Sequence, residues 1–225
     1  SITAKAINYF GEDTQTLTLS VAAPPYSNTK SVEFENQDYL GANAALLDGV
    51  LGRSGNGAGS SDAWTFHMWY KPDNFNSGQV LFYFGDSDTT NSGHIELRTT
   101  TSGNLRFTYG SNNNYIRRTT NNQPFSTGTW YNIVITYNGG TTGASSADVS
   151  DYYSRFNIYI NGNAASITNA HGNYGWSGQI DGENLRVGRY ASGNYINGGR
   201  VDEIAVWDSN QSSNVSDIYN SGTTH

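Results

Sequence analysis

An all-β fold, two antiparallel sheets packed face to face, is the architecture predicted for this chain of 225 residues. Three observations carry the expectation. Apolar and polar residues alternate at period two in many short runs, which sends every second side chain to one face of a strand. Gly is abundant at 26 residues and Pro scarce at 4, with Asn, Ser and Thr crowding the gaps between the runs, a mixture suited to tight turns. Aromatic residues make up 13% of the chain, 16 of them Tyr, too many for a disordered polypeptide.

Residues 1–22 read as two strands around a turn at Gly11-Glu12-Asp13, with Leu17, Leu19 and Val21 on one face of the second strand. Pro24 and Pro25 cannot join a central ladder, so 23–29 reads as a linker. Residues 30–43 give a strand, a turn at Asn36-Gln37 and a second short strand, and 44–53 a short helical turn. In 63–72 Trp64, Phe66, Met68 and Tyr70 share a face, and 79–86 is apolar on both faces. HIELRTT (94–100) and NLRFTYG (104–110) flank a Ser102-Gly103 turn as a hairpin, and 114–120 is a weaker strand. In 129–138 Tyr131, Ile133, Ile135 and Tyr137 run in phase; 139–153 is a long polar insertion. RFNIYING (155–162) ends in Asn161-Gly162, a type I′ turn signal. Residues 165–179 begin as the returning strand, 184–190 and 199–208 are the last strands, and 212–222 is a short helix capped by Ser213 or Asn214 and stopped by Gly222.

The formal net charge is −7, with 12 Lys and Arg against 19 Asp and Glu. Such a balance argues against nucleic acid and against an anionic membrane surface, both of which need a basic face. No apolar stretch approaches the roughly 18 residues of a membrane-spanning helix, and SITAKAINYF has no signal-peptide pattern. The absence of Cys excludes disulfides and thiolate metal sites.

SVEFENQDYL, AWTFHMWYKP, GTWYNIVITYN, FNIYING, LRVGRY and GRVDEIAVWDSNQSSNVSDIYNSG follow one another in an order that resembles laminin-G-like domains of the concanavalin-A-like lectin and glucanase superfamily. The resemblance covers roughly residues 30–225 and implies a jelly-roll sandwich, with departures at the insertions 44–61 and 139–153. ITAKAINYFGEDTQTLTLSV resembles the last two strands of a bacterial or phage immunoglobulin-like domain. Together these resemblances imply a segment of a larger assembly on a virion or extracellular surface, such as an adhesin, with a β appendage over 1–22.

GRVDEIAVWD raises the sharpest question about sites. Strict alternation puts Asp202 beside Ile204 and Val206, and Glu203 beside Val201, Ala205 and Trp207, so both carboxylates stand among apolar neighbours. Three readings are open. The pair is structural, with Asp202 accepting backbone N–H bonds and Glu203 paired to an Arg such as Arg186 or Arg189; or Asp202 ligates Ca2+ with Asp38 and Asp62; or the pair is catalytic. The resembling family often carries one calcium. Retaining glucanases of the same fold show Glu-x-Asp-x-Glu, which VDEIAVWD does not match. Asp86, Asp88 and Asn91 of GDSDTTNSG offer hard oxygen ligands, but such residues are also ordinary turn formers.

HIELRTT resembles the Arg-rich strand of jelly-roll alginate lyases, without their Gln-x-His and Tyr-rich strands, and reads as a solvated edge with His94 and Glu96 on one face. The four His residues have no zinc spacing. Tyr174, Trp176, Tyr190 and Tyr195, in or beside Gly- and Asn-rich loops, are the ligand-binding candidates, because sugars stack their C–H faces on aromatic rings; packed loop anchors are the alternative. The function expected is a non-catalytic module that binds glycans or neighbouring subunits through rim loops. The contrasting reading is a polysaccharide-cleaving lyase or glycosidase on the same fold.

Overall fold

The computed structural model describes residues 2–8, 11–17, 31–35, 37–43, 47, 49–51, 63–85, 93–110, 115–121, 125–140, 153–172, 180, 184–190, 196 and 198–220. Two compact units divide the chain, Ser1–Thr29 and Lys30–Thr224. In the first, β1 (Ile2–Asn8) and β2 (Gly11–Leu17) form an antiparallel hairpin, with Ile2 opposite Leu17 and Asn8 opposite Gly11. The Gly11-Glu12-Asp13 segment expected to turn is therefore the start of β2.

The second unit is a sandwich of two antiparallel sheets. Its strands are β3 (Val32–Phe34), β4 (Leu40–Ala42), β5 (Trp64–Pro72), β6 (Val80–Gly85), β7 (His94–Thr99), β8 (Leu105–Gly110), β9 (Tyr115–Thr120), β10 (Tyr131–Tyr137), β11 (Phe156–Ile160), β12 (Asn163–Ala164), β13 (Ile167–His171), β14 (Asn184–Val187) and β15 (Gly199–Trp207). One sheet has six strands in the order β12-β11-β10-β5-β15-β3, the other seven in the order β13-β9-β8-β7-β6-β14-β4. The chain passes repeatedly from sheet to sheet, as at β5 to β6 and β9 to β10, so that both apolar faces close on a single core.

That core is aromatic. Trp64, Phe66, Met68 and Tyr70 of β5 and Ile133, Ile135 and Tyr137 of β10 are all buried, as their alternation predicts. Ring pairs bridge the sheets: Phe66 to Phe82 at 4.5 Å, and Phe107 to Phe156 at 5.2 Å between centroids. Asn161 and Gly162 both have positive φ, 49° and 75°, and turn β11 into β12 as the Asn-Gly pair predicts. A helical turn at Leu47 is closed by the amides of Val50 and Leu51, 3.0 and 2.8 Å from its carbonyl.

The strand, turn and second short strand expected over 30–43 are β3, a bend closed by Asp38 N–H on the Glu35 carbonyl at 3.0 Å, and β4, and the bend delivers the two strands to different sheets. Two expectations are corrected. The terminal helix opens as a 3-10 turn at Ser212–Asn214 and continues as α1 (Val215–Tyr219); Asn214 is the N-cap of α1 without a side-chain bond, and Asn220, left-handed at φ 47°, ends it ahead of the Gly222 expected to. HIELRTT is not a solvated edge, since β7 lies between β6 and β8 in the middle of the seven-stranded sheet. The linker 23–29 and loop 86–92 lie outside the described residues.

Candidate functional site

The face of the seven-stranded sheet turned away from the core holds a dense polar and aromatic cluster. Register places the side chains in rows. Arg186 of β14, Tyr83 of β6, Glu96 of β7, Thr108 of β8 and Arg117 of β9 stand opposite one another across five strands. In the next row Asn184, Gly85, His94, Gly110 and Tyr115 are paired, so β8 contributes no side chain between His94 and Tyr115. Arg98, Arg106 and Thr119 form a third row. Alternation explains the assignment: the intervening Phe82, Phe84, Ile95, Leu97, Phe107, Tyr109 and Ile116 all lie in the core.

An outward face of a sheet is normally wet, yet Tyr83 is 0%, His94 4%, Glu96 5% and Thr108 3% exposed. Glu96 Oε1 sits 3.4 Å from both Arg98 Nε and Arg106 Nη2, longer than the usual charge-assisted bond. Arg98 Nη2 also donates to the Gly78 carbonyl at 3.2 Å. Arg117 lies over the Tyr115 ring, 4.4 Å from its centroid, with Nε 3.5 Å from Thr108 Oγ1. Burial, then the like charge of Arg117, lowers the Arg106 pKa from its ordinary value against the pull of Glu96. Aromatic rings adjoin the ions: Tyr83 stacks on His94 at 5.2 Å, and Tyr190 meets both edge-on at 4.8 and 5.7 Å. Arg186 ties Tyr190 to the sheet by donating to its carbonyl at 3.0 Å and to Asn184 Oδ1 at 2.6 Å.

Of the four aromatic candidates from the sequence, Tyr190 joins this cluster; Tyr174, Trp176 and Tyr195 lie outside the described residues. His94, Glu96 and the three arginines were missed as a group because periodicity assigns faces but not sheet order. The available signal was a polar residue at every alternate position in three consecutive strands.

Asp202 and Glu203 have a different explanation. Asp202 pairs with Trp69 and Ala205 with His67, so β15 holds one extra residue and bulges between them. Glu203 takes φ 47° at the bulge, and its N–H donates to Asp202 Oδ1 at 2.8 Å. The bulge overturns the strict alternation: Asp202 shares the outward face with Ala205 and Trp207, while Val206 pairs with Phe66 on the core face as Val201 pairs with Tyr70. Asp38 accepts from Glu35 N–H at 3.1 Å in the β3–β4 bend. Asp62 lies outside the described residues, as do Asp86, Asp88 and Asn91, and among the described residues no three His or carboxylate groups converge on a metal position.

A second concavity, a groove of about 400 Å³, lies between the β4–β14 edge and β15. Its described walls are apolar, including Leu40, Leu185, Val187, Ile204 and Val206, and among the described residues it lacks the convergent polar groups that orient a hydroxylated ligand. No helix among the described residues is long and apolar enough to cross a membrane.

A family model described as the concanavalin A-like lectin/glucanases superfamily, of the laminin-G type, matches residues 51–214. No curated protein sequence matches the chain. Similar solved structures include the CBM40 of the Ruminococcus gnavus IT-sialidase bound to α2,3-sialyllactose, with 13% identity and a TM-score of 0.58, covering 87% of this chain and 97% of that one. Domains LG4-5 of the mouse laminin α1 chain share 13% identity at a TM-score of 0.51, covering 85% of this chain and 45% of that one. These likenesses are of fold.

Proposed function

The chain belongs to the concanavalin A-like lectin/glucanases superfamily, and on that premise we propose that it is a non-catalytic module that binds glycans on an extracellular or virion surface. The observation that carries the reading is the cluster of rings and hydrogen-bonding side chains on the outward face of the seven-stranded sheet, where the half-buried Tyr115 and Tyr190 stand beside arginines and are backed by the buried Tyr83, His94 and Glu96. Aromatic rings beside fixed donors are what a sugar needs, C–H faces to stack and hydroxyls to pair. The loop residues Tyr174, Trp176 and Tyr195 belong to the same proposal as rim contacts. The CBM40 neighbour bound to sialyllactose supports the reading by its fold. Glu96 favours binding over cleavage: it is the one carboxylate on the described strands of that face, whereas a glycosidase of the usual kind needs two. Residues 1–22 fit the end of an immunoglobulin-like domain that would join the module to neighbouring domains or subunits.

The test is a panel of immobilised neutral and acidic oligosaccharides probed with the intact chain and with Tyr190→Ala. Saturable binding, weakened by the substitution, is expected. Retention of no glycan would sink the reading. Release of reducing ends, or new ultraviolet absorbance from an unsaturated sugar, would replace it with the enzymatic alternative.

A further inference from the structure

We infer that the ligand of the sheet face carries a negative charge: a saccharide bearing a carboxylate, such as a uronic or sialic acid, held between Arg106 and Arg117. The inference rests on the glycan-binding reading and names its ligand class. It starts from an imbalance of charge. The chain as a whole is acidic, at −7, yet four of its 12 cations, Arg98, Arg106, Arg117 and Arg186, stand on this one face. Arg98, Arg106 and Arg117 cluster around a single carboxylate, Glu96, on the described strands.

Glu96 does not neutralise them. One of its oxygens is shared at 3.4 Å between Arg98 and Arg106, and among the described residues no ion pair reaches Arg117. The Arg106 Nε–H is buried without an acceptor, an expensive state for a cationic donor. The outer nitrogens of Arg117 make no hydrogen bond among the described residues; its Nε has only the 3.5 Å approach to Thr108.

Geometry narrows the class of anion. Arg106 pairs with Thr119 and Arg117 with Thr108, so the two arginines lie on a diagonal of adjacent strands, on the same face. Like charges so placed repel, and an anion between them removes that repulsion while accepting from both. Guanidinium forks match the two oxygens of a carboxylate. The same face supplies two half-buried rings, Tyr115 beneath Arg117 and Tyr190 backed by the buried Tyr83 and His94, for the sugar that carries the carboxylate. A free small anion would use the arginines and leave the rings idle.

The test is isothermal titration of the intact chain with matched pairs, trigalacturonate against its carboxyl-reduced form and sialyllactose against lactose, at low and raised NaCl. Sodium acetate serves as the competitor that has charge without a sugar. Arg106→Gln and Arg117→Gln are compared with wild type after their melting curves show a folded chain, and Arg106→Lys, which keeps charge but not the fork, stands in if Arg106→Gln melts early. At least one acidic member should bind tenfold or more tighter than its neutral partner, weaken as salt rises, and lose about tenfold to a hundredfold on either glutamine substitution, with acetate a poor competitor. Equal affinity for charged and neutral partners, or acidic binding indifferent to both substitutions, would overturn the carboxylate inference and leave glycan binding standing. Acetate competing at the concentration of the saccharide would also overturn it. Binding of no member of either pair, alongside a glycan panel that retains nothing, would defeat both readings together.

Discussion

Asp202 supplies the most discriminating stability prediction, because the structural and calcium readings assign it different work. In the bulge, Asp202 Oδ1 accepts from Glu203 N–H at 2.8 Å and steadies a left-handed residue at φ 47°. A hydrogen bond to an ionised group contributes about 1.5–3 kcal/mol, and the half-exposed position reduces that to about 1–2 kcal/mol. In a unit the size of Lys30–Thr224, each kcal/mol moves Tm by about 2–4 °C. Asp202→Ala should therefore lower Tm by about 2–8 °C. Asp202→Asn retains an oxygen acceptor at the same place and should lose about a third of that or less. Differential scanning calorimetry of the two variants and wild type, with EDTA and with added Ca2+, makes the comparison. If Asn is as damaging as Ala, and EDTA lowers the wild-type Tm by a similar amount, then the charge serves a bound cation and the hydrogen-bond account is wrong.

Three further substitutions test how the sandwich is held. Phe156→Ala removes the ring that stacks on Tyr137 at 4.5 Å and meets Phe107 at 5.2 Å; a loss of about 3–5 kcal/mol is expected in urea unfolding, and a loss under 1 kcal/mol would mean that the core collapses around the gap. Gly162→Ala and Gly128→Ala share a φ of 75°, but a Cβ at Gly162 lies 2.9 Å from Tyr219 Cδ1, whereas Gly128 has open space. Both should pay the left-handed penalty of about 1–2 kcal/mol, and only Gly162→Ala should lose more; equal losses would show that Tyr219 moves aside freely. Asn132→Ala deletes the partner of His67 Nε2, 2.8 Å away in a buried site, and should cost about 1–3 kcal/mol and shift the His67 imidazole resonances in NMR spectra; unchanged resonances would contradict the contact.

Strands were the legible part of the fold, since period-two alternation in 63–72 and 129–138 fixes which side chains enter the core whatever the strand order. Strand order and sheet membership were not legible. The turn between β3 and β4 is legible in sequence, but only the pairing of β3 with β15 and of β4 with β14 reveals that they part to different sheets. The bulge in β15 shows how one inserted residue defeats a face assignment: Val201 and Val206, five apart, point the same way. The site suffered from the same blindness. His94 and Glu96 read as an exposed pair because a single strand does not reveal what lies on either side; the meaning of Arg106 and Arg117 depends on pairing through β8 and β9.

The two outward faces of the sandwich differ in how they bury polar groups, and the difference bears on the proposed ligand face. On the six-stranded sheet, α1 closes the surface: Tyr219 stacks on Trp69 at 6.0 Å, and Val215 is buried. The polar groups beneath, His67 and Asn132, bond to each other at 2.8 Å, so burial there is met by a side-chain hydrogen bond. On the seven-stranded sheet burial falls instead on charge, with one carboxylate spread between two guanidiniums and a third left on a ring. A sequence selected for stability alone would place neutral or apolar residues at such positions, because half-compensated charge in a desolvated setting is destabilising. The charges persist on the face that no described helix covers, where an incoming anion can complete them. That contrast, within one fold and between two sheets that share a core, is the physical ground for proposing the ligand on the seven-stranded sheet.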